Sequence, residues 1–411
     1  MLSIISPKPL TVIDLFAGAG GFGLGFQLAG YKTVTSLEVD QWAADTLRYN
    51  HAQMNVIQQD IRHFQDAQQI QGVCSITPDV IIGGPPCQGF SVSGPAQKDP
   101  HDPRNSLFMD FAHWINVLMP PVFVMENVKG LLTRRNAQGE SIVQIILQTF
   151  MKMGYCVEIW VLNAAEYNIP QIRERVFIVG NRLGKTAIGE PPKTSRLPSL
   201  NETSQLRPPL LFQSEDLPLS PSVWDAISDL PPLNAGDGQE LQRVINQPQN
   251  DYQRLLQGHN GYLYNHVSMQ HSKRLVERFK QVASGASSAE VPEAYRAHRR
   301  NGNGLHSEKM YDQNNRRLLP NRPSHTITAS FYANFIHPFQ HRNLTAREGA
   351  RLQSFPDEYR FMGKKTTASH KLLQREGRLE ELHLSQYNQI GNAVPPHLAR
   401  QIAIHLLKVL R

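Results

Sequence analysis

One cysteine and a handful of charged residues, each placed directly after a short apolar run, mark where this 411-residue chain could do chemistry. The cysteine is Cys87, in the stretch VIIGGPPCQGFSVSG at 80–94. Val80, Ile81 and Ile82 read as a buried strand that stops at Gly83, Gly84, Pro85 and Pro86, so the thiol is expected at a strand's carboxyl end. In an open α/β sheet that edge is where ligands bind. The small residues that follow, Gly89, Ser91, Ser93 and Gly94, suit a loop that approaches a substrate closely or moves over it. A free cysteine is commonly just a small buried hydrophobe, but this frame favours a nucleophile. Glu126 ends a second apolar run, Val122 to Met125, where its carboxylate can supply a proton to a substrate atom; a structural ion pair is the plainer alternative. Arg173 and Arg175, two apart at the start of the apolar strand Val176 to Val179, are expected on one face, fit to grip a carbonyl oxygen or phosphates. Solvated surface arginines are the bland reading of that pair.

The elements that must position these groups are legible along the chain. TVIDLF at 11–16 reads as a strand that breaks into AGAGGFGLG and then a helix, with Gly18, Gly20 and Gly23 in GxGxxG spacing. Such a turn suits nicotinamide, flavin and S-adenosylmethionine binders alike. The next strand, Thr33 to Leu37, ends at Glu38, about 20 residues beyond the glycines, where a carboxylate can accept from ribose hydroxyls. A third strand around Val56 and Ile57 ends at Asp60, whose carboxylate can receive an adenine amino group. Three strand ends thus offer one nucleoside's worth of contacts. Helices are expected from about Asn105 to Leu118, over Ser141 to Met153, over Leu344 to Ser354 with a Thr345–Glu348 capping box, and over His397 to Leu410. Pro323 to Phe331 reads as strand-like, and Cys156 to Leu162 alternates like a strand. Asn392, in QIGNAVPP, can orient substrate or cofactor, although a turn asparagine is the default.

Composition bounds the class. Apolar residues at 40% and charged residues at 19% describe an ordinary globular protein long enough for two domains. The formal charge is +7, and it is not spread evenly. Between His271 and Arg322 there are 11 Lys/Arg against 5 Asp/Glu, an excess of 6. Arg296, Arg299, Arg300, Arg316 and Arg317 fall there, interleaved with Tyr295, Tyr311 and a flexible NGNG, so phosphate contacts by irregular loops are expected. Prolines at 191, 192, 198, 208, 209, 218 and 221 follow Asn181 and mark a domain boundary. Cys74, Cys87 and Cys156 form no CxxC, and no histidine spacing matches a ligand motif, so neither disulfide nor metal is expected. No apolar run reaches membrane-spanning length and the N-terminus is too quickly broken by proline for a signal peptide, which points to a soluble, cytoplasmic, nucleoid-associated protein.

Taken in order, DLFAGAGGFGLGF, GGPPCQGFS, ENV at 126–128, QIRER at 171–175, LTAREGARLQSFP and QIGNAVPP make the chain resemble the cytosine-C5 DNA methyltransferases of bacterial restriction-modification systems. The resemblance implies a Rossmann-like α/β domain for S-adenosylmethionine, over 1–182 and 385–411, and a smaller, irregular target-recognition domain with its hinge over 183–384. Phe16, Gly18, Gly20, Glu38, Asp60, Pro85, Asn392 and Val394 would bind the cofactor. Cys87 would add to C6 of a cytosine flipped out of double-stranded DNA, Glu126 would act at N3, and Arg175, with Arg173 beside it, at O2. Ser91 and Arg104 would approach the DNA from the loop after the cysteine. No obligate protein partner is implied. Gly363 to Glu381 departs from the compact family pattern by lengthening the connection to QIGNAVPP. A tRNA methyltransferase on the same framework and a catalytically silent DNA-binding relative are the rival readings. The long basic segment opposes the first, and the intact set of Cys87, Glu126 and the arginines opposes the second.

Overall fold

The computed structural model describes residues 8–73, 76–86, 107–136, 138–184, 186–199, 217–244, 246–258, 260–297 and 314–411. The chain divides into two compact units, residues 1–163, 174–192 and 393–411 in the first and 164–173 with 193–392 in the second. The division departs from the boundaries expected from composition. Residues 164–173 and 385–392 fall with the second unit, and 183–192 with the first.

The first unit is built on a seven-stranded sheet: β1 (Thr11–Leu15), β2 (Lys32–Glu38), β3 (Asn55–Gln58), β4 (Val80–Gly83), β5 (Val122–Val128), β6 (Cys156–Asn163) and β7 (Glu174–Asn181). Their spatial order is β3-β2-β1-β4-β5-β7-β6. The first five are parallel, and β7 enters antiparallel between β5 and β6. Strands covered on both faces read as continuous apolar runs, and β1 and β4 are buried at every position. The helices α1 (Gly21–Leu28), α2 (Gln41–Asn50), α3 (Ala67–Val73), α4 (Leu107–Leu118) and α5 (Ile142–Lys152) supply the crossovers. Phe111, Trp114 and Ile115 of α4 and Ile146 and Phe150 of α5 are wholly buried in the core with Ile13, Ile81 and Phe123. The closing helix Pro396–Leu410 lies so close to α1 that a Cβ on Gly25 would sit 2.3 Å from the Ala399 Cβ. Only glycine admits that approach.

Strand order reverses between β1 and β4, the topological switch point where open α/β sheets bind ligands beyond the strands' carboxyl ends. Because β7 runs antiparallel, its first residues, Glu174 and Arg175, reach that same edge.

The second unit holds a hairpin of β8 (Gly238–Arg243) and β9 (Tyr262–Val267), short helices, and long irregular connections. The helix Ala346–Leu352 starts at Thr345, whose side chain accepts from Glu348 while Glu348 accepts back, completing the expected capping box. Pro323 to Phe331 is not a strand. Its only ladder contact among the described residues is an isolated bridge between Ser324 and Gln171, and the helix Phe331–Asn334 follows. Alternation of small polar residues there serves backbone and side-chain bonds to 170–172 instead. The lengthened connection Gly363 to Glu381 folds into the helix His370–Arg375 and a turn at Leu379–Glu381.

Candidate active site

At the end of β1 the backbone turns left-handed three times, at Phe16 (φ 58°), Gly18 (φ 54°) and Gly20 (φ 81°). A bulky residue such as Phe16 pays for that conformation, on the order of 1–3 kcal/mol. The turn is pinned from β2. Gly18 N donates to Glu38 Oε2 at 2.7 Å, Asp40 N donates to Glu38 Oε1 at 2.8 Å, and Ala17 N donates to the Leu37 carbonyl. The Glu38 carboxylate thus receives the amides of Gly18 and Asp40 with that of Val39 beside them, and of its roughly four acceptor sites keeps one for a further donor. Burial pushes the Glu38 carboxyl up in pKa, while these amides pull it down. A Cβ built on Gly18 would meet nothing within 4 Å, so the turn borders open space beside an acceptor that can still accept. That is a fit for a ribose-bearing ligand.

Sequence reasoning passed over Asp14. Its Oδ2 accepts from Gly23 N at 3.0 Å, and burial raises its pKa to about 8. It ties the start of α1 to the middle of β1. One polar residue inside a wholly buried strand was the signal that could have found it.

Asp60, expected to receive an amino group, caps its own turn by accepting from Arg62 N and is bracketed by the Arg62 guanidinium. Those bonds hold its pKa below the usual carboxylate range. It is an ionised acceptor on the correct edge, shared with an arginine.

After β4, a Cβ on Gly83 would fall 2.5 Å from the Leu15 carbonyl and 2.8 Å from the Phe111 ring, and one on Gly84 would fall 3.2 Å from Glu126 Oε2. Glycine here lets the Glu126 carboxylate reach the loop. Asn127 Nδ2 donates to the carbonyl of the buried Pro85 at 3.1 Å, and Asn127 Oδ1 accepts from Val128 N at 2.9 Å. Pro85, two residues before Cys87, is therefore held from β5. Asn127 is a positioning residue that its place after Glu126 could have announced. Cys87, Ser91 and Arg104 lie outside the described residues.

Glu126 and Arg175 meet across β5 and β7. Glu126 stands opposite Phe177 and Arg175 opposite Val128, so the two are diagonal neighbours on one face. Arg175 Nε lies 3.1 Å from Glu126 Oε1, with the side chains 14% and 13% exposed. Burial lowers the Arg175 pKa and the Glu126 charge opposes that shift.

Arg173, expected on one face with Arg175, is bonded to backbone carbonyls. It precedes β7, belongs to the second unit and is 1% exposed. Its guanidinium donates to the carbonyls of Ile327 at 2.8 Å and Gly391 at 3.0 Å. Asn392, exposed, ends the helix Gln386–Asn392 in the second unit, and Val394 is buried in the first.

The basic segment needs a similar correction. Arg317, expected on phosphate, is 6% exposed and donates to the carbonyls of Val282, His337, Gln340 and Phe279. Arg316 and Arg317 form a two-residue strand paired with Phe335–Ile336, and successive strand residues face opposite ways, so Arg317 turns inward. Arg316 is half-buried with one N–H on the Gly285 carbonyl, and Arg296 is half-buried. Arg299 and Arg300 lie outside the described residues. Among the described residues no group of three or more His, Cys, Asp or Glu is placed to hold a metal ion, and no helix is long and apolar enough to cross a membrane.

A parallel-dominated sheet carries a glycine turn and acceptor on one side of its switch point and a carboxylate–arginine pair on the other, the edge where α/β folds bind ligands. The C-5 cytosine-specific DNA methylase family model matches residues 10–408, and the chain belongs to that family. It is 43% identical to the Type II methyltransferase M.DdeI of Desulfomicrobium norvegicum over 96% of this chain and 88% of that one. It is 35% identical to the Type II methyltransferase M1.HphI of Haemophilus parahaemolyticus over 97% and 87%. Among solved structures it is similar to a prophage-encoded E. coli protein assigned as a DNA modification methyltransferase, with TM-score 0.68, 26% identity, and 98% and 99% of the two chains covered. The protein is a DNA cytosine-5 methyltransferase, and the family implies S-adenosylmethionine as its methyl donor.

Proposed function

We propose that the protein methylates C5 of a cytosine flipped out of a short specific DNA sequence, through a covalent bond between Cys87 and C6. The observation that carries this reading is the Glu126–Arg175 pair on one face of the sheet edge, with Gly84 of the loop before Cys87 held against Glu126.

S-adenosylmethionine, seated by the Phe16–Gly20 turn, Glu38, Asp60, Pro85 and Val394, with Asn392 completing the set, supplies an electrophilic methyl group. Cytosine C5 is too weak a nucleophile to take it unaided, and its ring carbons are out of reach while the base is stacked, hence the flip. The Cys87 thiolate adds to C6, forming the S–C6 bond. The C5–C6 π pair shifts toward C4 and the C4–N3 pair onto N3, which makes C5 an enamine carbon. Glu126 holds N3 as it takes a proton, and Arg175 donates to O2, so charge developing on the ring is met by one acid and one cation. Once C5 carries the methyl group, N3 returns its proton to Glu126, a base removes the C5 proton as the C5–C6 double bond re-forms, the S–C6 bond breaks, and the thiolate returns. Ser91 and Arg104 act on the DNA from the loop after Cys87. The half-buried Arg296 and Arg316, together with Arg299 and Arg300, contribute positive charge to recognition by the second unit.

Relatives named as Type II methyltransferases support a further reading, that the modification protects host DNA from a companion restriction endonuclease. The test is incubation with labelled S-adenosylmethionine and genomic DNA, followed by mapping of methylated cytosines. Methylation at one short sequence is expected. Label entering tRNA and not DNA would overturn the reading.

A further inference from the structure

The corrected arginines raise a question of charge. Arg317, expected to meet phosphate, is spent on carbonyls inside the second unit. Exposed cations stand instead on the reactive edge of the first unit. Directly after Glu126 and Asn127 the chain reads VKGLLTRR at 128–135, with Lys129, Arg134 and Arg135 and no acid among them. Leu131 is wholly buried and pegs this turn to the core. Arg134 and Arg135 then open a tight loop closed by a bridge between Arg135 and Ser141, and Arg135 donates to the Gly139 carbonyl at 2.7 Å. Glu140 is engaged with Asn136.

Lys129 is held by one acid. Its Nζ lies 2.8 Å from Glu174 Oε2, and the side chains are 56% and 45% exposed. Two ion pairs thus cross β5 and β7 at the same end of the ladder. The Glu126–Arg175 pair is mostly buried and fixed. The Lys129–Glu174 pair is open to solvent, and an exposed pair of this kind is weak enough to exchange partners. A duplex presents a phosphate about every 1.7 Å of its axis, with condensed counterions to release. We propose that Lys129 holds a DNA phosphate flanking the target cytosine, and that Glu174 occupies the ammonium in the free enzyme and yields it when DNA arrives. Glu174 then acts as a placeholder that keeps the lysine extended along the edge and weakens attachment to DNA lacking a seated base.

This inference rests on the reading that the edge bearing Glu126 is the reactive one, and its test is separate from turnover. With the full chain, binding of a fluorescent duplex carrying the mapped site is measured over a range of salt concentrations. Lys129→Gln is expected to flatten the log–log slope by about 0.9, the loss of one phosphate contact, with Lys129→Arg restoring it. Glu174→Gln is expected to tighten binding about two- to fivefold, the equivalent of releasing an exposed ion pair. Unfolding midpoints of these surface variants verify folding. A Lys129→Gln slope equal to wild type, or weaker binding by Glu174→Gln, overturns the proposal. Failure of the catalytic reading would show instead as absent methyl incorporation with the binding slopes unaffected.

Discussion

The two units use arginine in opposite ways. In the first, Arg175 has five N–H groups to place and two acceptors in the described structure, the Glu126 carboxylate and the Glu174 carbonyl. In the second, Arg342, Arg347 and Arg351 are buried and bonded inside the fold. Arg351 reaches both Asp229 and Asp357, Arg342 forks onto Glu348, and Arg347 donates to the carbonyls of Tyr264, Pro356 and Tyr359. Burial pulls Arg347 down to about 10, whereas the two carboxylates on Arg351 overcome burial and hold it up. A buried ion pair does little for stability relative to a hydrophobic replacement, yet is costly to break from one side. The second unit has few long elements, and its irregular connections are cross-linked by guanidinium groups that bridge several segments at once. An arginine with donors to spare is free to meet a substrate, and a saturated one is a strut.

Breaking that contrast is the way to test it. The largest effect is expected at Glu126: Glu126→Gln should lower turnover roughly 10²- to 10⁴-fold, the range for losing a positioned acid, with the unfolding midpoint falling less than for Arg351→Ala because the amide keeps an oxygen for Arg175. Steady-state rates beside a melting curve check both halves. Arg351→Ala should do the reverse, costing about 3–5 kcal/mol in denaturant unfolding because Asp229 and Asp357 are left buried without their partner. Arg173→Lys should cost less, about 1–3 kcal/mol, since one ammonium cannot span both the Ile327 and Gly391 carbonyls. If Arg173→Lys instead abolished turnover with stability intact, Arg173 would belong with Arg175.

A pH effect sharpens the same comparison at smaller scale. His337 Nδ1 accepts from the amides of Phe339 and Gln340, and burial pushes its pKa down to about 4. Protonation must break those bonds. The stability it contributes is complete above the unfolded value near 6.5 and is lost as pH falls from there to about 4. Glu348, held low by Arg342 against its burial, loses its contribution only at more acid pH. Denaturant midpoints between pH 7 and 4.5 should fall by an amount on the order of 1 kcal/mol, and His337→Gln, which cannot titrate, should flatten the slope.

The first unit was readable because parallel strands buried on both faces announce themselves as apolar runs, and two of them end in a carboxylate or a glycine, at Glu38 and Gly83. Its missing pieces were long-range. Nothing local says that β7 inserts between β5 and β6, and that insertion is what brings Arg175 diagonal to Glu126. In the second unit the excess of arginine in 271–322 reads as a nucleic-acid surface, but composition cannot distinguish a guanidinium facing solvent from one facing five carbonyls. Arg317 shows the difference, which depends on the strand partner Phe335–Ile336 that pins its direction. The capping box at Thr345 was legible because both of its members lie within one turn.

The account turns on Cys87 bonding to C6 while Glu126 and Arg175 hold the ring. A duplex with 5-fluorocytosine at the methylated position tests this directly, since fluorine at C5 cannot leave as a proton and the adduct cannot eliminate. Incubated with S-adenosylmethionine and digested, the wild-type protein should yield a Cys87 peptide carrying the methylated nucleotide, observed by mass spectrometry, and Cys87→Ser should yield none. Adduct on another residue, or methyl transfer retained by Cys87→Ser, would contradict the account.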